Sequence, residues 1–296
     1  MNKLRCMHLF ARLADLGSFA AVAEELGVTP SMVSKEIQKL EMTLDARLLH
    51  RSTRKIQLTH IGEGYLNRCR EILAQVHDAD AYVQQMQNSV KGKLRINLPM
   101  ALGLTDLNAV LSDFMSAYPE VELDIHLGDE ALDLLEHGFD LGFRASSTVF
   151  DSNYIGKPLT KFTYHVCASP NYLAKHGDVT TPQSLKTHNC FIYSYFKGGN
   201  KWPINEGVTV TGNLKVNSTL YMKDVIVAGL GIGFLPSFIA KPAFKKGQLV
   251  EVLSTCSKPD LTLYALYPNR KHTPPILAKC IEFIADWFSN KPKEFN

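Results

Sequence analysis

The chain has 296 residues and contains no apolar run long enough to span a membrane. Its first stretch, MNKLRCMHLF, carries charges but is not followed by an apolar core and a small-residue cleavage site, so it lacks the pattern of an export signal. A cytoplasmic protein with no membrane partner is expected. Cysteine is sparse and scattered. Cys6, Cys69, Cys167, Cys190, Cys256 and Cys280 form no C-x-x-C pair, which argues against both a disulfide framework and a zinc site. G-x-S-x-G, H-E-x-x-H and Walker sequences are absent and the ten histidines are dispersed, so no catalytic constellation can be named. GLGIGF at 229–234 resembles a dinucleotide fingerprint, but a helical pattern precedes its glycines and a strand pattern follows, the reverse of the order that motif needs. It reads as a helix-to-strand turn. No catalytic residue, metal ligand or cofactor is therefore expected, and no internal repeat or low-complexity tract stands out.

With 45% hydrophobic and 21% charged residues, the composition is that of a soluble globular protein with room for two or three domains. The net charge of +3 is unevenly placed. Residues 1–62 hold nine of the 32 basic residues and six of the 29 acidic ones, so the remaining 23 of each sign cancel. Six of those nine (Lys35, Lys39, Arg47, Arg51, Arg54 and Lys55) lie within 35–55, a density suited to phosphate contacts.

The stretch SFAAVAEELGVTPSMVSKEIQKLEMTL at 18–44 explains where that charge is used. Phe19, Val22, Ala23 and Leu26 recur at helical spacing behind a Ser18 N-cap, and Gly27 suits the left-handed position after the helix. Thr29 followed by Pro30 opens the next helix at once, so the link is a tight helix-turn-helix. In the second helix Val33, Ile37, Leu40 and Leu44 share one stripe, leaving Ser31, Ser34, Lys35, Gln38 and Met42 on the opposite side, with Lys39 beside them. Short donors and acceptors of this kind can approach base edges and phosphates in a DNA major groove, whereas an ordinary solvated face more often carries Glu–Lys pairs.

Next, Leu48 and Leu49, then Ile56 and Leu58, flank HRSTRK, which reads as a small hairpin or wing with a basic tip: Arg51, Arg54 and Lys55. Thr59 caps a long helical segment in which Cys69, Ile72, Val76, Ala79, Val83, Met86 and Val90 are spaced alternately three and four apart. A helix of about 30 residues spans roughly 45 Å, far longer than the N-terminal module, so it reads as a linker. Ile72, Val76, Ala79, Val83 and Met86 are the expected dimerisation seam. Packing of that stripe on its own chain is the simpler alternative.

After KGKLRIN at 91–97, strand patterns alternate with helices. LRINL, ELDIHL and DLGFR point to a mainly parallel α/β sheet, with further strands at YHVCAS, CFIYS, VTVTGNLKV, GIGFLP and LTLYALY. A last amphipathic helix runs from about Pro275 to Ser289. Open α/β sheets bind ligands at the carboxyl ends of their strands. Those ends are Met100, Ala101 and Leu102, then Gly128 and Asp129, and Ser218 and Thr219 precede a further helix. Arg144 ends DLGFR, where it can meet an anionic effector or be absorbed in an internal salt bridge.

Taken in order, AVAEELGVTPSMVSKEIQKLE, LxxRLLHR at 44–51 and LTHIGEGYL at 58–66 resemble the N-terminus of LysR-type transcriptional regulators. The later GKLRINLP, YPEVELDI, GFDLGFR, ASPNYL, LYMKDVIVAGLGIGFLP and KKGQLVEVL agree with the same family, so the resemblance covers essentially the whole chain. Two positions depart from it: Asp45 where glycine is usual, and Leu49 where phenylalanine is usual. The resemblance implies a winged helix-turn-helix domain at 1–58, a dimerising linker helix at 59–90, and an effector domain at 92–296 like the type 2 periplasmic binding proteins. Lobe I would comprise 92–163 plus 267–296, and lobe II 164–266. It further implies a sequence-specific regulator that binds promoter double-stranded DNA, assembles from homodimers into a homotetramer, and responds to a small-molecule effector; the strand ends at Met100 and Gly128, the helix start at Ser218 and Thr219, and Arg144 suit a polar or anionic one. The effector cleft would be lined at Met100, Ala101, Leu102, Gly128, Asp129, Arg144, Ser218 and Thr219, and RNA polymerase is a further candidate partner. A thiol-based redox sensor of the same family would need two cysteines brought together, with Cys167 and Cys190 nearest by sequence. A solute-binding protein without a DNA role is the more distant alternative, since it would need an export signal and has no use for the basic N-terminus.

Overall fold

The computed structural model describes residues 2–50, 56–87, 90–130, 132–146, 154–269 and 273–290. They form two compact units, one built on residues 1–89 and the other on most of the chain from Val90 onward.

The N-terminal unit is helical. α1 (Lys3–Leu16), an element not read from the sequence, starts where the Asn2 side chain accepts the Arg5 amide and stops at Gly17 in the left-handed region. α2 (Phe19–Glu25) is capped by Ser18, and α3 (Pro30–Leu44) by Thr29, whose hydroxyl accepts the Met32 amide. Gly27, at φ +62°, makes the turn between them. Asp45, at the position where the family usually has glycine, takes the left-handed conformation itself (φ 48°, ψ 39°), which a short polar residue tolerates at a helix C-cap. The expected wing is visible at its base: Leu49 and Leu58 pair antiparallel, and the His50 amide donates to the Gln57 carbonyl. α4 (His60–Gln87) follows, with the Thr59 hydroxyl accepting the Gly62 amide.

Phe10, Leu13, Val22, Val33, Ile37, Leu40 and Leu48 pack into one core with Leu66 and Cys69 of α4. Each large aliphatic or aromatic side chain buried this way contributes about 1.5–3 kcal/mol. Cys69, the first residue of the heptad run, is thus fully occupied within its own chain. The later seam residues differ: Ile72, Ala79 and Val83 are exposed and Val76 half-buried in the single chain. Beneath the core, Arg12 is buried in ion pairs with Asp15 (2.8 Å) and Glu25 (2.6 Å), and Arg70 of α4 reaches the same Asp15 at 2.7 Å.

Among its described residues the second unit holds two larger sheets and two two-stranded ones. Its first half contains β1 (Gly92–Leu98), α5 (Met100–Gly103), α6 (Asp106–Ala117), β2 (Val121–Leu127), β3 (Leu141–Ser146) and β4 (Tyr154–Phe162). The chain then forms β5 (Tyr164–Ala168), α7 (Pro170–His176) and a 3-10 turn at Pro182–Thr187. The short strands β6 (Ile192–Tyr193), β7 (Lys201–Trp202), β8 (Val208–Thr209) and β9 (Lys215–Val216) lead to α8 (Thr219–Val227). β10 (Ile232–Pro236), α9 (Ser237–Lys245), β11 (Val250–Val252), β12 (Leu261–Pro268) and α10 (Pro275–Asn290) complete the order.

The larger sheet runs β2-β1-β3-β12-β4. Its β1–β2 and β1–β3 pairs are parallel, but β12 is antiparallel to both β3 and β4. The expectation of a mainly parallel sheet is therefore corrected to a mixed one. The smaller sheet, β10-β5-β11, is antiparallel throughout. The expected single strand VTVTGNLKV is broken in two: β8 pairs antiparallel with β7 and β9 parallel with β6, and Gly212 between them lies against the Cys190 backbone. α6 and α10 bury Phe114, Ile276, Cys280 and Ile284 in one core with the larger sheet. The lobes join where Phe162 of β4 gives way to Tyr164 of β5, and the Thr163 carbonyl accepts the Ser237 amide there.

Candidate functional site

The burial of Val33, Ile37 and Leu40 fixes which side of α3 faces outward. Ser31, Lys35, Gln38 and Lys39 are exposed on it, Ser34 is half-buried, and Met42 is 81% exposed. Ser31 exchanges a hydrogen bond with Thr29 (3.1 Å), and Lys39 donates to Glu36 at 2.8 Å. That partner holds the Lys39 ammonium above its ordinary pKa; Lys39 and the Cys6 thiol hold Glu36 below its own.

Glu41, buried in the last turn of α3, was not anticipated. Its Oε1 accepts the amides of Leu48 (2.8 Å) and Leu49 (3.2 Å), and its Oε2 pairs with Arg47 at 3.2 Å. One carboxylate thus ties the exposed helix to the first strand of the wing. The basic wing residues Arg51, Arg54 and Lys55 lie outside the described residues, as does the side chain of Met86.

In the second unit a cavity of about 150 Å³ opens where the two sheets meet. Ala101, Leu102, Asp129, Arg144 and Thr219 line it. Met100, Gly128 and Ser218 instead line an adjoining open groove of about 410 Å³, which shares Asp129 and Tyr195 with the cavity. Ser218 also caps α8 by accepting the Tyr221 amide at 3.3 Å, while Thr219, the first helical residue, turns toward the cavity.

Two charged groups of opposite sign stand in this cavity. Burial pushes Asp129 up from the usual carboxylate range, although it accepts the Met100 amide at 3.1 Å and the Tyr193 hydroxyl. Burial likewise lowers the Arg144 guanidinium from its ordinary value, offset in part by the charge of Asp129. Arg144 does not form the internal salt bridge weighed above: among the described residues it donates only to neutral oxygens, Asn97 Oδ1 at 2.6 Å and the carbonyls of Phe143 and Leu132 at 3.4 Å.

Nearly half of the lining residues are aromatic, which the sequence reading missed. Tyr164, Phe191, Tyr193, Tyr195, Phe196, Trp202, Phe234 and Phe238 all contribute. Tyr164 stacks on Phe234 with ring centres 4.5 Å apart, and Trp202 lies within 22° of parallel to the same phenylalanine. Burial raises the Tyr164 hydroxyl to about 12. The available signal was the alternation of Phe191, Tyr193 and Tyr195 along one parity of CFIYSYF.

The two cysteines weighed as a redox pair are kept apart. Cys190 bridges to Ile232 on one side of β10, and Cys167 pairs with Gly233 from β5 on the other. Two strand spacings separate them, about 10 Å, beyond the reach of a disulfide. They also belong to different cores, and burial pushes the Cys190 thiol up to about 12 and Cys167 well above its ordinary value. Among the described residues no His, Cys, Asp and Glu cluster is placed to hold a metal, and no helix is long and apolar enough to cross a membrane.

A helix-turn-helix with a winged base, followed by a two-lobed α/β body with a cavity at the junction of its sheets, defines the class of ligand-responsive DNA-binding regulators. Comparison with known proteins agrees. Residues 4–63 match the lysR family of bacterial regulatory helix-turn-helix proteins, and residues 87–289 match the LysR substrate binding domain. The chain is 34% identical over 280 residues to an HTH-type transcriptional regulator of Haemophilus influenzae, covering 93% of this chain and 96% of that one. It is 32% identical to the probable HTH-type transcriptional regulator LtrA of Klebsiella pneumoniae, with 97% and 95% covered. The full-length structure of the Vibrio cholerae virulence activator AphB superposes with a TM-score of 0.66 at 26% identity, over 96% of this chain and 98% of that one. The chain belongs to the LysR-type transcriptional regulators, DNA-binding proteins with an effector-binding domain and a family of regulators rather than enzymes.

Proposed function

We propose that Ser31, Ser34, Lys35, Gln38 and Lys39 enter the major groove of promoter DNA while Arg51, Arg54 and Lys55 hold phosphates from the wing. The observation that carries this reading is the outward polar face of α3, fixed in place by the burial of Val33, Ile37 and Leu40 behind it. Ile72, Val76, Ala79, Val83 and Met86 pair α4 with a second copy, and the effector domains join two such dimers into a tetramer. The exposure of Ile72 and Val83 in the single chain supports a partner for this stripe, since an apolar seam left in water is a liability. A small molecule in the cavity lined by Ala101, Leu102, Asp129, Arg144 and Thr219, with Met100, Gly128 and Ser218 at the groove beside it, shifts the assembly between two DNA-bound arrangements. It does so only by binding one arrangement more tightly than the other. RNA polymerase is the partner through which the shift reaches transcription.

Footprinting on the promoter next to the gene tests the reading. Lys35→Ala costs about 1–3 kcal/mol at the specific site if it reads a base, whereas Arg54→Ala weakens all sequences alike and flattens the salt dependence. Unchanged binding in both variants removes the assignment. Val83→Glu places a carboxylate in the seam and lowers the oligomeric state in light scattering; a monomeric wild type at micromolar concentration defeats the pairing.

A further inference from the structure

We infer that the cavity at the sheet junction takes a carboxylic acid carried on a single aromatic ring, with its carboxylate on Arg144. The inference rests on the reading that this cavity is the effector site, and it names the chemistry of the occupant.

Size sets the first limit. About 150 Å³ is the volume that holds one benzene ring, so the part of a ligand seated among the aromatic walls is a single ring, and anything larger extends into the adjoining groove past Asp129 and Tyr195. The walls set the second. Phe196 stands edge-on to both Tyr164 and Phe234, at 81° and 82°, so one end of the cavity is a cluster of rings already packed edge-to-face and face-to-face, which a further ring extends. Aromatic rings prefer these offset and edge-to-face arrangements, which a planar ligand satisfies and a polyol or flexible dicarboxylate does not.

Charge sets the third. Arg144 is half-buried and, among the described residues, donates its hydrogen bonds to neutral oxygens alone; the nearby charge of Asp129 offsets only part of the cost of its burial, and a guanidinium without a directly hydrogen-bonded anion is left under-compensated. Asp129 does not fill that role, because it is already engaged by the Met100 amide and the Tyr193 hydroxyl and forms no ion pair with Arg144 among the described residues. A ligand carboxylate supplies the missing charge through a planar, two-point contact that guanidinium favours. A second carboxylate on the same ligand would face Asp129, which selects a monoacid. Thr219, whose residue lines the opposite lobe, offers a hydroxyl to a ring substituent.

The test uses the full chain and isothermal titration with four probes: benzoate, its neutral isostere benzamide, acetate and succinate. Benzoate is expected to bind at least tenfold more tightly than each of the others. Arg144→Gln is expected to reduce benzoate to the level of benzamide while leaving benzamide unchanged, and Ala101→Phe, which fills the cavity, to abolish benzoate binding. Benzamide binding as tightly as benzoate overturns the role of Arg144. Acetate or succinate binding more tightly, or no binding of benzoate, overturns the aromatic monoacid. Either result leaves the effector cavity itself standing. Undiminished benzoate binding in Ala101→Phe overturns the location and with it the proposed effector site. The comparison of probes on the wild-type chain decides the chemistry even if a variant fails to fold.

Discussion

Gly62 lets the long helix lie directly against the backbone carbonyl of Leu48: a methyl group built at Gly62 overlaps that oxygen, which also accepts the Thr59 amide at 2.9 Å. The start of α4 and the first strand of the wing are therefore held at backbone distance. Gly62→Ala is expected to destabilise the N-terminal unit by about 1–3 kcal/mol through overpacking. Gly64, two residues on, has open space around the same position, so Gly64→Ala is expected to stabilise by up to about 1 kcal/mol from helix propensity alone. Denaturant unfolding of the two variants compares them directly; equal effects would show that the close approach is unimportant.

Glu41 closes the same junction from the other side. Glu41→Ala leaves two amides and Arg47 without their acceptor, at a cost of about 2–3 kcal/mol for groups that depended on a charged partner. Glu41→Gln keeps one oxygen for Leu48 and Leu49 and is expected to lose about half as much. Because the wing is positioned through this carboxylate, DNA affinity should fall with stability in the alanine variant and be largely retained in the glutamine one. A glutamine variant as damaged as the alanine one would assign the effect to charge rather than to amide capping.

Lys39 lies on the outward side of α3 but spends its charge on Glu36. The Lys39 end of the pair is well exposed, so the pair adds little stability. Its consequence falls on DNA binding, because Glu36 places a carboxylate beside the surface that approaches phosphates. Glu36→Gln is expected to tighten binding to both specific and random duplexes and to steepen the slope of log affinity against log salt by about one. An unchanged slope would mean that Lys39 does not reach a phosphate.

The helix-turn-helix was legible because its signals are local. Ser18, Gly27, Thr29 and Pro30 each act within one turn of where they stand, and the structure uses each as a cap or a turn. β4 was not legible. It carries Pro158 and two lysines and is exposed along much of its length, so it shows no apolar alternation; its place as an edge strand, paired among the described residues only to β12, is what makes that composition tolerable. Strand direction was hidden for a different reason: β12 enters the sheet from more than a hundred residues away, and periodicity carries no information about which way a strand runs. Polar strand ends were read as the effector cleft, while Phe191 and Tyr193 were read simply as strand and Tyr195 was not singled out. From sequence, an aromatic residue lining a cavity is indistinguishable from one filling a core.

Asp129 gives the cavity a measurable pH signature. Burial raises its folded-state pKa, so the folded chain holds the proton more tightly than the unfolded chain does. The charged carboxylate is therefore a cost to the fold that is fully present above the folded pKa and vanishes as pH falls below the ordinary carboxylate value, where both states are protonated. Asp129→Asn removes the charge and keeps an oxygen for the Met100 amide. Its effect on melting temperature should be more favourable near about pH 7 than near about pH 3.5, where the wild-type side chain is already neutral, and the difference should amount to about 1–3 °C. The Tyr193 hydroxyl bonds more strongly to the ionised carboxylate, so loss of that bond works against this difference and makes the observed value a lower bound. An effect of the same size at both pH values would show that Asp129 is ionised without penalty, and that water reaches it freely in the absence of a ligand.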